Sequence, residues 1–309
     1  MTQRLQLRVN YPEFDTVHSY RGGIIRHFDK TPSDIVCPHF WELNWAYGCR
    51  FECAYCYLQG TFHGNKEPWH RPPDQVLMVL DEFFQDHRED PQILNSGELT
   101  DSLVYPQLMK QISDKFEEQA KHKLLLLTKS SNVKPLLDKP RKQTIFSFSL
   151  NAHEVWRLWE HKTPPPEKRI EAAKITGEVG DEVRVRIDPI FPIEDWQKHY
   201  EDLIYLLLSK LPGDPDRITL GTPRGLAKTR MFSKDSSWWK LAFEDNPSED
   251  SGWGKKIAFP LRKKIYIFFY DKLQSLGFDK SRIAMCKETK SMWKGLGLDW
   301  RKCKCNCVR

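Results

Sequence analysis

Three cysteines fall within eight residues of the stretch GCRFECAYCYLQG: Cys49, Cys53 and Cys56, spaced C-x-x-x-C-x-x-C between Gly48 and Gly60. Clustered thiols of this kind are metal ligands more readily than a disulfide framework. A structural zinc wants four ligands, and the stretch supplies three. His63 is near, but it belongs to a GTFHG turn. A [4Fe–4S] cube bound by three thiolates leaves one iron open to an exogenous ligand. Gly48 and Gly60 give the flanking backbone freedom to curl round such a cube. Zinc remains the alternative at this point.

A second cysteine group closes the sequence in CKCNCVR, with Cys303, Cys305 and Cys307 alternating with Lys304 and Asn306. Cys286 precedes them by seventeen positions. Two residues of a C-x-C pair face one metal when the chain turns, so these four thiols are candidate ligands of a second iron–sulfur cluster. Zinc suits a thiolate-only site as well. Cys37 stands alone, as a buried core thiol or a reserve ligand.

These groups need a scaffold, and the sequence supplies one. Strand patterns occur at FWELNWA (Phe40 to Ala46), QILNSGEL (Gln92 to Leu99), KLLLLTK (Lys123 to Lys129), TIFSFSLN (Thr144 to Asn151), VRVRIDPI (Val183 to Ile190) and RITLGT (Arg217 to Thr222). Between them lie helical patterns such as DQVLMVLDEFFQDH, YPQLMKQISDKFEEQA, PEKRIEAAKI and DWQKHYEDLIYLLLSKL. Strand–helix alternation repeated about six times predicts an α/β fold, a partial (β/α)6 barrel of the TIM type. Chemistry in such a fold sits where the strands' C-terminal ends feed their loops. Gly97-Glu98, Thr128-Lys129, Ser149 with Asn151, and Arg186 with Asp188 close their strands in that way. The three-cysteine loop follows the first strand.

The chain divides into an N-terminal segment (1–36), the barrel (37–225) and a C-terminal extension (226–309) that carries the second cysteine group. In the extension, DSSWWKLAFEDNPSEDSGWGKK reads as a long surface segment or lid. PLRKKIYIFFYDKLQSLGF reads as a helix and SRIAMCKE as a short strand leading to Cys286. Trp238, Trp239 and Trp253 are candidate base-stacking residues or loop anchors. Arg262, Lys263 and Lys264 are a basic patch or a solvated helix face.

The loop, with aromatic Tyr55 just before its last cysteine, resembles the signature of radical S-adenosylmethionine (SAM) enzymes. Further stretches resemble the spore photoproduct lyase-like branch, from about Cys37 to Leu298: CAYCYLQGTF, LLTKSSNVKPLL, FSFSLN followed by EHKTPPPEKRIEAA, and RIDPIFPIEDWQKHY. The resemblance implies that Cys49, Cys53 and Cys56 hold a [4Fe–4S] cluster whose open iron is chelated by SAM. It implies a 5′-deoxyadenosyl radical from reductive cleavage, fed by an external electron donor such as flavodoxin or ferredoxin. Tyr55 and Tyr57 would lie near the adenosine, and Gly97-Glu98 would receive the methionyl amino group. Thr100, Asp101, Lys129, Ser149, Asn151 and Arg186 would line the SAM or substrate pocket. One departure stands out. The spore lyases carry a hydrogen-donating cysteine just after the second strand, where this chain has Leu99 in GELTDS.

Composition sets looser bounds. The 309 residues carry a formal charge of +6, which mildly favours anionic partners. No apolar run reaches membrane-spanning length and the N-terminus lacks a secretory h-region, so a cytoplasmic enzyme without a membrane partner is expected. The leading expectation is a radical SAM enzyme acting on a nucleotide, nucleic acid or similar anionic substrate. The alternatives are a biosynthetic enzyme that inserts sulfur from its second cluster, and a non-enzymatic, zinc-dependent nucleic-acid-binding protein.

Overall fold

The computed structural model describes residues 19–64 and 67–309. Of the N-terminal segment 1–36, positions 1–18 lie outside the described residues. A nine-stranded sheet organises the chain, and its spatial order follows the sequence. The strands are β1 (Ser19–Tyr20), β2 (Ile25–Phe28), β3 (Phe40–Leu43), β4 (Ile93–Asn95), β5 (Lys123–Thr128), β6 (Thr144–Leu150), β7 (Glu182–Ile187), β8 (Arg217–Leu220) and β9 (Ile283–Met285). β1, β2 and β3 pair antiparallel. From β3 to β9 every neighbouring pair is parallel. The protein is therefore a mixed α/β fold on a central parallel sheet. All six expected strands are present, and the short strand before Cys286 adds a seventh to the parallel set. Among the described residues β1 and β9 are not paired with each other, and the sheet does not close there.

The helices are α1 (Leu58–Thr61), α2 (Pro73–Asp86), α3 (Pro106–Glu117), α4 (His153–Trp159), α5 (Pro166–Val179), α6 (Trp196–Lys210), α7 (Ala227–Phe232), α8 (Ser237–Phe243), α9 (Phe259–Ser275) and α10 (Lys290–Gly295). Proline opens α2, α3 and α5, where its missing N–H costs no helical hydrogen bond. Gly180 ends α5 in the left-handed region at φ 95°, the conformation glycine adopts without a Cβ penalty. α2 buries Val76, Val79, Leu80 and Phe83, the three-and-four spacing of one helix face.

Side-chain alternation gives the sheet two different faces. Leu94, Leu124, Leu126, Phe146, Phe148, Val185, Ile187, Ile218 and Leu220 belong to the main core, together with the buried sides of α2, α3, α5 and α6. The opposite face has a small apolar cluster of Ile93, Leu125, Leu127 and Ile145. Polar side chains complete that face. In register, Leu127, Ser147, Arg184 and Arg217 form one row, and Ser149, Arg186 and Thr219 the next. A helix-covered face explains the apolar runs, and the inner polar face explains their interruption by serine and arginine.

The stretch expected to be a long surface segment or lid has secondary structure of its own. It forms α8 and an antiparallel hairpin, Ser248–Ser251 with Gly254–Ile257. Trp238 and Trp239 are buried, because their indoles pack on each other and on Phe243. Arg262 is no solvated residue either. It is fully buried, and its guanidinium pairs with Glu288 and Glu249. Among the described residues no helix is long and apolar enough to cross a membrane.

Candidate functional site

A cavity of ≈ 470 Å³ opens at the C-terminal ends of the parallel strands, within the range of about 300–1,000 Å³ usual for small-molecule sites. Cys49, Cys53 and Cys56 all line it. None forms a disulfide. Their loop is built by its own backbone and two braces. Gly48 turns the chain at φ 82°; its N–H donates to Leu99 O at 2.9 Å, and its carbonyl accepts the Thr100 hydroxyl at 2.7 Å. Buried Gln59 donates from Nε2 to the carbonyls of Cys53 and Ala54 at 2.7 and 3.1 Å. Gly60 has a different role from backbone freedom: a Cβ there would lie 2.7 Å from Thr229 N, so glycine admits α7 against α1. His63 stacks on Phe232.

Burial dominates the thiols' acidity in the metal-free chain. It pushes Cys49 up to about 12, with Asp101 and Cys56 adding to the effect. Cys53 and Cys56 are raised for the same reason. Metal binding at such a site displaces the protons.

Around the thiols stand Tyr55, Tyr57, Gly97, Glu98, Thr100, Asp101, Lys129, Ser149 and Arg186, all at the cavity wall. Asn151 is not. Its Nδ2 donates to Pro189 O at 2.8 Å and its Oδ1 accepts from Tyr200 and Ala152, so both ends of the amide are committed to the scaffold. Asp101 is likewise engaged, accepting from Thr128 Oγ1, Leu103 N and Lys129 N at 2.7 to 2.9 Å. It ties the end of β4 to the end of β5.

Glu98 follows β4 in a tight segment. Gly97 is required there, since a Cβ would come within 2.5 Å of Leu127 Cβ. Asn95 Nδ2 donates to Glu98 Oε1 at 2.8 Å, and the Tyr57 hydroxyl donates to the Glu98 carbonyl and lies 3.3 Å from Oε2. Glu42 is a second carboxylate in the cavity, held by Arg26 Nε and Nη2 at 2.9 and 2.6 Å. Burial raises its pKa, and the neighbouring Glu98 raises it further.

Cations line the cavity as well. Lys129 Nζ lies 5.7 Å from the Tyr55 ring centroid. Arg186 and Arg224 both bind Asp188, Arg186 Nε at 3.0 Å and Arg224 Nη2 at 2.8 and 2.7 Å. Burial alone would raise the Asp188 pKa, but the two guanidiniums hold it well below the usual carboxylate range. At the rim, Lys287 Nζ sits 4.5 Å from the Trp253 ring centroid and 5.4 Å from that of Phe28. Carboxylates and cations thus share one cavity wall, which offers partners to both ends of a zwitterion.

Several residues in or behind the cavity wall had no assigned role in the sequence. Glu160 is fully buried; it accepts from the Tyr55 hydroxyl and pairs with fully buried Arg169. Both lie in the EHKTPPPEKRIEAA stretch, whose acid–base pair was the available signal. Arg224 and Lys287 gave none: Arg224 lies beyond RITLGT, and Lys287 follows Cys286 in SRIAMCKE, which stands outside the six-strand alternation.

The tail thiols lie elsewhere. Cys303 packs against the main core, and the chain from Cys305 on folds back onto the inner face of the sheet, where Cys307 packs on the Ile93, Leu125, Leu127 and Ile145 cluster. Cys286 accepts a hydrogen bond from Arg186 Nη2 at 3.2 Å.

The family model described as spore photoproduct lyase matches residues 38–221. The chain is 31% identical over 181 residues to a spore photoproduct lyase of Bacillus subtilis, covering 56% of this chain and 52% of the relative. It spans about half the length of the curated lyases it matches. Its fold matches a solved spore photoproduct lyase complexed with dinucleoside spore photoproduct, at a TM-score of 0.68 and 19% identity over 79% of this chain and 75% of the other. A double mutant of such a lyase with bound AdoMet and dinucleoside spore photoproduct matches at 0.66 and 19% identity, over 83% and 78%.

Proposed function

The chain belongs to the spore photoproduct lyase family, and from that premise we propose that it is a radical SAM enzyme acting on a nucleotide or nucleic-acid lesion. The observation that carries this reading is the meeting of three unpaired thiols, Cys49, Cys53 and Cys56, with Glu98 and Lys129 in one cavity. The donor set fits a three-thiolate [4Fe–4S] cluster. Bound there, cluster and SAM together would supply a 5′-deoxyadenosyl radical.

The chain's own residues do the rest. Glu98, fixed by Asn95, accepts the SAM ammonium, and Glu42 stands nearby, paired with Arg26. Lys129 or Arg186 faces the carboxylate. Tyr55, tethered to Glu160, and Tyr57, tethered to Glu98, border the adenosine. Ser149 and Thr100 complete the wall, while Asp101 and Asn151 position the strand ends. A reaction begun by one electron needs a cytoplasmic donor such as flavodoxin or ferredoxin. Trp253, Phe28, Lys287 and Arg224 at the cavity offer aromatic faces and positive charge to an anionic, base-containing substrate.

Leu99 lines the cavity where the spore lyases place a donating cysteine. A leucine has no S–H to give, so a product radical here must be quenched by another group or by recovery of hydrogen from 5′-deoxyadenosine. The cysteine-rich tail favours a second reading, radical sulfur insertion fed by a second iron–sulfur cluster.

The test is anaerobic turnover of reconstituted protein with SAM, reductant and dinucleoside spore photoproduct. Lesion-dependent loss of the photoproduct supports repair. SAM cleavage without lesion loss leaves the radical chemistry and removes this substrate.

A further inference from the structure

The end of the chain is built into the molecule by contacts that a loose tail would not make. Arg184 Nη1 donates to the carbonyls of Asn306 and Val308 at 2.7 and 3.0 Å. Arg217 Nη1 donates to the Cys305 carbonyl and to Val308 O. Asn306 Nδ2 donates to Ser147 Oγ. Asn95 Nδ2 lies 3.7 Å from Cys307 Sγ. These partners come from β4, β6, β7 and β8, so the CKCNC segment crosses the inner face of the sheet.

We propose that Cys286, Cys303, Cys305 and Cys307 form a second metal centre with thiolate ligands on this face. The CKCNC alternation sets the three tail thiols two residues apart, and the segment is pinned where Arg217 binds the Cys305 carbonyl and Asn95 Nδ2 lies 3.7 Å from Cys307 Sγ. Cys286 directly follows β9 at the edge of the same parallel set, and Arg186 of β7 donates to its Sγ at 3.2 Å. No disulfide joins any of them. Among the described residues no three potential ligands already surround one ion position, so the sulfurs must turn inward about their Cα–Cβ bonds to bind.

Charge supports the assignment. Buried thiolates are costly unless cations stand beside them, and the inner face supplies Arg184, Arg186 and Arg217 around the segment. Filling the space beneath the strands would need only apolar side chains, as at Ile93 and Leu125. Four thiols, with Arg186 on Cys286 Sγ and Arg184 and Arg217 on the backbone of the tail, suit a thiophilic metal, as an iron–sulfur cluster or as zinc.

The centre adjoins the cavity through two side chains. Asn95 Nδ2 reaches both Glu98 Oε1 and Cys307 Sγ, and Arg186 reaches both Asp188 and Cys286. It therefore deepens the proposed function, but its ligands are independent of the three-cysteine loop.

That independence gives the experiment. The full chain carrying Cys49→Ser, Cys53→Ser and Cys56→Ser is loaded anaerobically with ferrous iron and sulfide in one arm and with Zn²⁺ alone in another, then desalted and assayed for bound metal. The loop variant retains metal, and adding Cys305→Ser and Cys307→Ser removes it. Iron with matching sulfide identifies a cluster; zinc identifies a single-ion site. Co²⁺ added to the loop variant reads thiolate coordination by charge-transfer absorption, with the tail intact, should the tail variant fail to fold. A loop variant that emerges metal-free from both arms and gives no Co²⁺–thiolate absorption overturns the proposal. SAM cleavage enters neither readout, so failure here is distinct from failure of the proposed function.

Discussion

Asn95 grips Glu98 from within the same segment: its Nδ2 donates to Glu98 Oε1 at 2.8 Å, while its Oδ1 accepts the Gly97 N–H at 2.9 Å. The carboxylate is thus aimed before any ligand arrives. A charge-assisted hydrogen bond to an ammonium is worth about 1.5–3 kcal/mol. Glu98→Gln should weaken SAM binding by about one to two decades, measured by equilibrium dialysis on the reconstituted protein. Unchanged affinity would place the ammonium elsewhere.

Glu160 and Arg169 form a fully buried ion pair that also holds the Tyr55 hydroxyl. Burial would raise the Glu160 pKa, but Arg169 and Lys129 outweigh it and keep the carboxylate ionised. Glu160→Ala strands the Arg169 charge in the interior, so urea unfolding should show a loss of about 3–5 kcal/mol. A loss below about 1 kcal/mol would place the pair among weakly coupled surface bridges.

His122 predicts an acid limit to stability. Its ring stacks on Phe84, and its Nδ1 accepts the Gln92 N–H at 3.1 Å, which requires an unprotonated nitrogen. Burial, with His87 and Arg309 nearby, lowers its pKa from 6.5 to about 4. A depressed folded-state pKa means that the unfolded chain takes up the proton first. The contribution is therefore present above about pH 6.5 and is lost as the pH falls towards 4. His122→Asn should flatten that limb of a melting-temperature profile; an unaltered profile would assign the acid limit to other groups.

The parallel strands were legible because their apolar runs are long and their ends polar. LLLL in β5 and the alternating FSFS of β6 admit few other readings. Glu98 and Lys129 were legible for the same reason, as polar residues at strand ends. Asn151 looked identical in the sequence, yet its amide is consumed by Pro189, Tyr200 and Ala152. Whether a strand-end side chain faces the cavity or the scaffold depends on the loop that follows it. The base-stacking reading of Trp238 and Trp239 failed and the loop-anchor reading fits, because the indoles found partners in one another and in Phe243. Arg262 failed similarly: its two carboxylate partners, Glu249 and Glu288, are far away in sequence, and no local pattern announces them.

The central claim is that Cys49, Cys53 and Cys56 carry the cluster that cleaves SAM. The direct measurement is 5′-deoxyadenosine formed from SAM under anaerobic reduction, comparing the native chain with Cys49→Ala, Cys53→Ala and Cys56→Ala combined. The native chain should form 5′-deoxyadenosine and methionine, and the variant should form neither while retaining its fold. Undiminished cleavage by the variant, or a native chain that binds zinc in this loop and leaves SAM intact, would contradict the account.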